Sequence, residues 1–325
     1  MLAGNLSQRQ LKMLNIPVAD FLNWIKILNF SEIRMGLYWD EIESKPGIFV
    51  FDSILSILDF FELNNINVTI CLGLKSPRIP EFYPPFWLRN PYEFENNKKY
   101  LFHYLKKSID ILKKYKCIKK WQIENEPLDP SPPHWKTIPI EILVEEIRLF
   151  RKNNISNICI NFWGNELVKR NQYMGILEDI DIIGLNFYFE MYDRRKNKIE
   201  NIFTIDKCLK TINFIKEKYP QKDIIITEFQ FEPWIIGNPI NNFLPMYEKL
   251  MRKYPRIFYY ITDFIAKGAE KYIDFDNIIQ YYEKISSLIS IQKIYLWGLE
   301  YIYTNKKDTI ILNLLARLEN NLQKI

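Results

Sequence analysis

Residues that build metal and redox centres are scarce in this chain of 325 residues. It has four cysteines, Cys71, Cys117, Cys159 and Cys208, none in a CxxC spacing, and two histidines, His103 and His134. That scarcity excludes a structural zinc site, and no metal is expected. Cys71 and Cys159 sit inside apolar, strand-like runs, where a free thiol acts as a small buried hydrophobe. Basic blocks are lacking as well. Net charge is +5, but lysines and acids alternate along most segments, so nothing tracks a phosphate backbone and nucleic acid is excluded as a partner. No run of about 18 apolar residues occurs, so no membrane partner is expected. The opening MLAGNLSQRQLKML has no basic region followed by an apolar one, so the chain as given is expected to be cytoplasmic, with secretion needing additional N-terminal residues. A sustained repeat, a low-complexity tract and a Gly/Ser linker are all missing, which leaves one domain over residues 1–325 and an open oligomeric state.

What is present fits one large α/β domain. With 48% hydrophobic and 26% charged residues the chain has ample apolar surface for a core, and barrels commonly run to this length. Short β-branched or aromatic runs alternate with amphipathic stretches throughout. SEIRMGLYW (31–39), NVTICLGL (67–74), KKWQIEN (119–125), NICINFW (157–163), IDIIGLNFY (180–188), DIIITEF (223–229) and KIYLWGL (293–299) read as strands. Segments such as VADFLNWIKIL and EILVEEIRLFRKN between them carry apolar residues at three- and four-residue steps and read as helices. The pattern predicts a (β/α)8 barrel. Its first strand has only the residues around Leu2 to Leu6 available, so it is expected to be short or frayed.

In such barrels the loops after the strands build the site. Several of these loops are rich in proline and aromatics, SPRIPEFYPPFWLRNPY, EPLDPSPPHW and FQFEPWIIGNP. They suit either a flat-faced ligand such as a sugar or simple packing of the loops. Glu126 ends WQIENE and Glu228 ends IIITE, roughly three βα units apart at about 30 residues each, which places them on the fourth and seventh strands across the mouth.

These residues carry a resemblance. WQIENEP, with Asn125 directly before Glu126, resembles the Asn-Glu-Pro segment of clan A glycoside hydrolases, retaining (β/α)8 enzymes that include cellulase-like, family 5-like bacterial members. TEFQFEPW is similar to their strand-seven nucleophile segment. The agreement continues in order: IRMGLYWDEIESKPGIFVFD on strand two, GLKSPRIPEFYPPFWL after strand three, IIGLNFY on strand six and YLWGLE on strand eight. The match spans about residues 31 to 300, and its specificity lies in the ordered set.

The resemblance implies a retaining glycosidase acting on a β-linked carbohydrate without cofactor. Glu126 would be the acid/base and Glu228 the nucleophile, with Asn125 on the sugar 2-hydroxyl and Trp297 as a floor for the sugar ring. Arg34 either holds Glu228 anionic or pairs with Glu124 inside the barrel, and Tyr188 is placed to donate to Glu228. Trp39, Trp163 and Trp234 are further platforms or packing. Many clan members carry a His on strand three, where this chain has Lys75 and Arg78. Lys75 either binds the sugar or pairs with Glu81. Glu43 and Glu300 read as structural or subsite acids, and Glu232 is the competing nucleophile. The alternative to catalysis is a carbohydrate-binding barrel that has lost turnover. A lyase or aldolase would need a strand-end Schiff-base lysine or a metal cluster, and Lys75 is the one candidate.

Overall fold

Side-chain alternation decides the architecture. The computed structural model describes residues 2–78, 81–130, 136–164, 167, 175–193, 196–236, 274–288 and 291–322, and His134 and Trp135 lie outside them. The strands in chain order are β1 (Leu2–Leu6), β2 (Phe30–Gly36), β3 (Asn67–Leu72), β4 (Ile118–Ile123), β5 (Ile158–Trp163), β6 (Ile182–Phe187), β7 (Glu190–Asp193), β8 (Lys198–Asn201), β9 (Asp223–Gln230), β10 (Ile235–Ile236) and β11 (Ile291–Trp297). Eight of them close a barrel in the order β1-β11-β9-β6-β5-β4-β3-β2, with all neighbours parallel. This is the predicted (β/α)8 barrel, in which the seventh and eighth staves are β9 and β11. The remaining three strands form a small sheet in the order β10-β7-β8, which the strand patterns in the sequence had not shown.

β1 is short but not frayed. Its five residues are all buried and it pairs with both neighbours, Ala3 opposite Tyr295 of β11 and Glu32 of β2. A stave on each side gives so short a strand ladder partners along both edges.

Amphipathic helices cover the outside. The Ile140–Lys152 helix buries Ile142, Leu143, Ile147 and Phe150 at helical spacing, and the Phe94–Leu112 helix buries Leu101, Leu105, Ile109 and Leu112. Each such side chain contributes about 1.5–3 kcal/mol relative to exposure. Among the described residues no helix is long and apolar enough to cross a membrane. The four cysteines are buried and free, and burial pushes their thiols up, away from thiolate chemistry.

The barrel interior is layered by the two-residue period. Ala3, Cys159, Ile182, Ile225 and Tyr295 form one apolar cluster. Beside it Glu32 accepts from Lys120 Nζ (2.6 Å), Thr69 Oγ1 (3.0 Å) and Tyr295 Oη (2.5 Å), a closed polar set toward the N-terminal ends of the strands. Two residues further along the same strands stand Asn5, Arg34, Gln122, Asn161 and Thr227, and there the interior turns polar and opens toward the loops.

Candidate active site

Arg34 is the hub of that second layer. Fully buried, it donates from Nε to Gln122 Oε1 (2.7 Å), from Nη1 to Asn5 Oδ1 (2.8 Å) and to Glu228 Oε1 (2.9 Å), and from Nη2 to Asn125 Oδ1 (2.7 Å). Of the two readings of Arg34, the geometry selects the bond to Glu228. Glu124 faces elsewhere because the chain leaves β4 there in a left-handed conformation (φ 57°), and Glu126 repeats it (φ 45°). Regular alternation ends at Ile123, so a parity argument from the strand does not extend to these acids.

Glu228 reaches the same hub by a different irregularity. The inward positions of β9 are Ile225 and Thr227, which would turn Glu228 outward. The pairing with β6 shifts register between Leu185 and Asn186, so that Ile226 and then Glu228 are the successive partners. A register shift of this kind re-aims a side chain. Glu228 Oε2 also accepts from Tyr188 Oη at 2.7 Å.

Glu126 has a different environment. Its Oε1 accepts from Asn186 Nδ2 (2.6 Å), and its backbone N–H donates to Asn161 Oδ1 (2.8 Å). Asn161 Nδ2 reaches Asn125 Oδ1 (3.1 Å), and Asn186 Oδ1 accepts from Thr227 Oγ1 (2.5 Å). The two asparagines link Glu126, Asn125 and β9 into one network. Sequence reasoning missed them, although an Asn at an inward position of each of the apolar runs ICINFW and IIGLNF was the available signal.

The electrostatics differ in degree. Burial drives Glu126 well above the ordinary carboxylate range, helped by repulsion from Glu81, Glu228 and Asp129 and opposed by Lys75. Burial leaves Glu228 raised as well, but Arg34 and Tyr188 oppose the rise. The cation is bonded to Glu228, and Glu126 has a neutral amide.

The remaining candidates fall into two groups. Trp163 stacks on Tyr188 (5.2 Å between ring centroids, 29°), with Trp234 5.2 Å from the same ring, and both indoles are partly exposed at the rim. Trp297 is covered: it is 6% exposed, the Arg78 guanidinium lies 4.2 Å over its ring, and its indole bonds Glu232. Arg78 is itself held by Glu232 (2.7 Å) and Glu300 (2.5 Å), and Glu300 also accepts from the Ser7 N–H. Glu232 is thereby engaged away from Arg34. Trp39 is 1% exposed, donates to Glu43 (2.7 Å) and stacks on Tyr104, so its ring is enclosed by packing and offers no platform. Lys75 is enclosed too: its Nζ donates to the backbone oxygens of Glu126 (2.7 Å) and Asp129 (2.9 Å) and pairs with Glu81 (3.2 Å). Its donors serve the chain around Glu126.

No family model matches this chain, and no curated protein matches it in sequence. Solved structures do match in fold. Xylanase 10B from Thermotoga petrophila RKU-1, solved in complex with xylobiose, superposes with a TM-score of 0.58 at 15% identity, covering 91% of this chain and 81% of that one. A family 10 endo-β-1,4-xylanase from Gloeophyllum trabeum gives 0.55 at 13% identity, covering 91% and 83%. The family 1 β-glucosidase from Thermotoga maritima gives 0.51 at 14% identity, covering 86% and 76%. At such identities the likeness is one of fold, the barrel shared with these glycosidases.

Proposed function

We propose that this chain is a retaining glycosidase of clan A, acting on a β-linked glycan or glycoside by double displacement, with Glu228 as nucleophile and Glu126 as acid/base. One observation carries the assignment. Two buried glutamates at the ends of β4 and β9 are held unequally, Glu228 by a guanidinium and a phenol, Glu126 by a neutral amide. The first environment favours a carboxylate and the second a carboxylic acid, which is the division of labour such a reaction needs. The ordered sequence resemblance and the shared fold support it.

In the first step a Glu228 oxygen bonds to the anomeric carbon as the glycosidic C–O bond breaks, and the Glu126 proton passes to the leaving oxygen. In the second, Glu126 takes a proton from water, whose oxygen displaces Glu228. Arg34 and Tyr188 keep Glu228 charged between turnovers. Asn125 has its carbonyl oxygen committed to Arg34 and Asn161, so its amide N–H2 is the group offered to a sugar hydroxyl. Of the three indoles offered as platforms, Trp163 and Trp234 take that role, while Trp39 is packing and Trp297, the expected floor, lies under Arg78.

Trapping tests this directly. Incubation with 2-deoxy-2-fluoro glycosides bearing good leaving groups, followed by peptide mapping, is expected to place the label on Glu228. A label on Glu232 would move the nucleophile, and sugar binding with no label and no turnover would favour the non-hydrolysing barrel.

A further inference from the structure

Glu146 lies outside the mouth, on the inner face of the Ile140–Lys152 helix, and is completely buried. Neither of its carboxyl oxygens accepts a hydrogen bond from an N–H or hydroxyl among the described residues. The polar group it meets is the carboxyl of Glu124, equally buried. Glu124 is already engaged on its other side, Oε1 accepting the Leu74 N–H (2.8 Å) and Oε2 the Lys75 N–H (2.5 Å). Gly73 makes room for this: a Cβ there would fall within 2.6 Å of all three atoms of the carboxyl group.

Two ionised carboxylates cannot remain in contact in such surroundings, so a proton lies between them. Glu124, with two backbone donors and Lys75 nearby, carries the charge. Glu146 therefore carries the proton and donates it. Burial pushes Glu124 up to about 7 and Glu146 well above the carboxylate range. The titratable groups facing Glu124 are Lys75 after β3, Cys71 on β3, Tyr104 on the Phe94–Leu112 helix and Glu146, and Glu146 itself faces Glu124.

What this pair fastens is the turn that carries Glu126. The Glu124 N–H donates to Leu72 O (2.8 Å), the Asn125 N–H to Lys75 O (3.1 Å), and Lys75 Nζ to Glu126 O (2.7 Å). We propose that Glu146 is a positioning residue: the proton it shares with Glu124 locks the exit of β3 against the left-handed turn after β4, and its loss releases Asn125 and Glu126 from their stations. This rests on the assignment of Glu126 as the acid/base.

In the unfolded chain both acids ionise near about 4.3. The folded state holds its proton more tightly, so the contribution to stability is complete below that value and is lost as pH rises through the folded one. Infrared titration of the full chain tests the shared proton. The wild-type minus Glu146→Gln difference is expected to show the carbonyl stretch of a protonated acid that persists at neutral pH and disappears on alkaline titration, together with a loss of stability. The Gln amide donates to Glu124 at every pH, so that variant lacks both changes, and the same difference with Glu126→Gln separates the two acids.

The same turn carries Asn125, whose N–H donates to Lys75 O and whose amide is offered to the sugar whatever the leaving group. For a dinitrophenyl glycoside, which needs no proton donor, the alkaline fall of kcat/KM therefore reports release of the turn and not the titration of Glu126. The variant is expected to move that fall upward by about one pH unit or more. An absent band, or the same alkaline limb in both proteins, overturns the proposal, and if Glu146→Gln does not fold, the titration of Glu126→Gln, in which Glu146 keeps its proton, decides the first point. Wild-type protein that shows the band yet cleaves no glycoside sinks the catalytic reading and the positioning role with it, and leaves the shared proton standing.

Discussion

Two carboxylates inside one barrel, Glu32 and Glu126, have opposite fates. Burial pushes Glu32 up, yet Lys120, Tyr295 and Thr69 bring it below its ordinary value, because all three donate to it. Glu126, a few residues nearer the loops, has among the described residues one neutral donor for its carboxyl and other acids around it, and it rises. The chain spends a lysine to satisfy the acid that stabilises the barrel and withholds one from the acid at the mouth. Lys75 approaches Glu126 but bonds its carbonyl rather than its carboxyl.

The difference can be broken from the mouth first. Glu126→Gln is expected to lower kcat/KM about 10²–10⁴-fold for glycosides with poor leaving groups and little for dinitrophenyl glycosides. Because Glu126 is raised, wild-type activity on poor leaving groups is present below its folded pKa and lost as pH rises through it. A pH–rate profile checks both points.

Breaking the lower layer should cost stability and leave the chemistry intact. Lys120→Met strands Glu32 and is expected to destabilise by about 3–5 kcal/mol in denaturant unfolding, with kcat per folded molecule unchanged. The depressed pKa of Glu32 contributes stability above its unfolded value, lost as pH falls through the folded one, so the gap between wild type and variant should narrow in acid.

A smaller change sharpens the contrast. Tyr188→Phe removes one of the two donors that keep Glu228 charged, at a cost of roughly 1.5–3 kcal/mol in the barrier. Glu228 then titrates higher, so the acid limb of kcat/KM moves upward. Smallest is Arg78→Ala, which uncovers Trp297 and frees Glu232 and Glu300; a shift in KM below about tenfold is expected, read with neutral aryl glycosides.

Much of this was legible in advance because it depends on local pattern. Apolar alternation in NVTICL and IIGLNF marks strands wherever they fold, and Leu2 to Leu6 is short in sequence and in space. The β7-β8-β10 sheet escaped because EMYD and KIEN are too short and too polar to carry a period. Side-chain partners were harder. Lys75 and Trp39 were both offered to a ligand, and both are enclosed by groups that only the closed barrel brings to them.

By itself the sequence determined a barrel of alternating strands and helices, and two glutamates at the ends of its fourth and seventh staves, since both follow from periodicity and order along the chain. Tertiary structure alone decided which glutamate receives the arginine. It also decided that Arg78 covers Trp297, that Asn161 and Asn186 join the network, and that Glu146 faces Glu124. The physical reason is that burial and hydrogen-bond partnership are set by neighbours across the barrel, where a register shift in β9 or two left-handed residues after β4 redirect a side chain without leaving a mark in the local pattern.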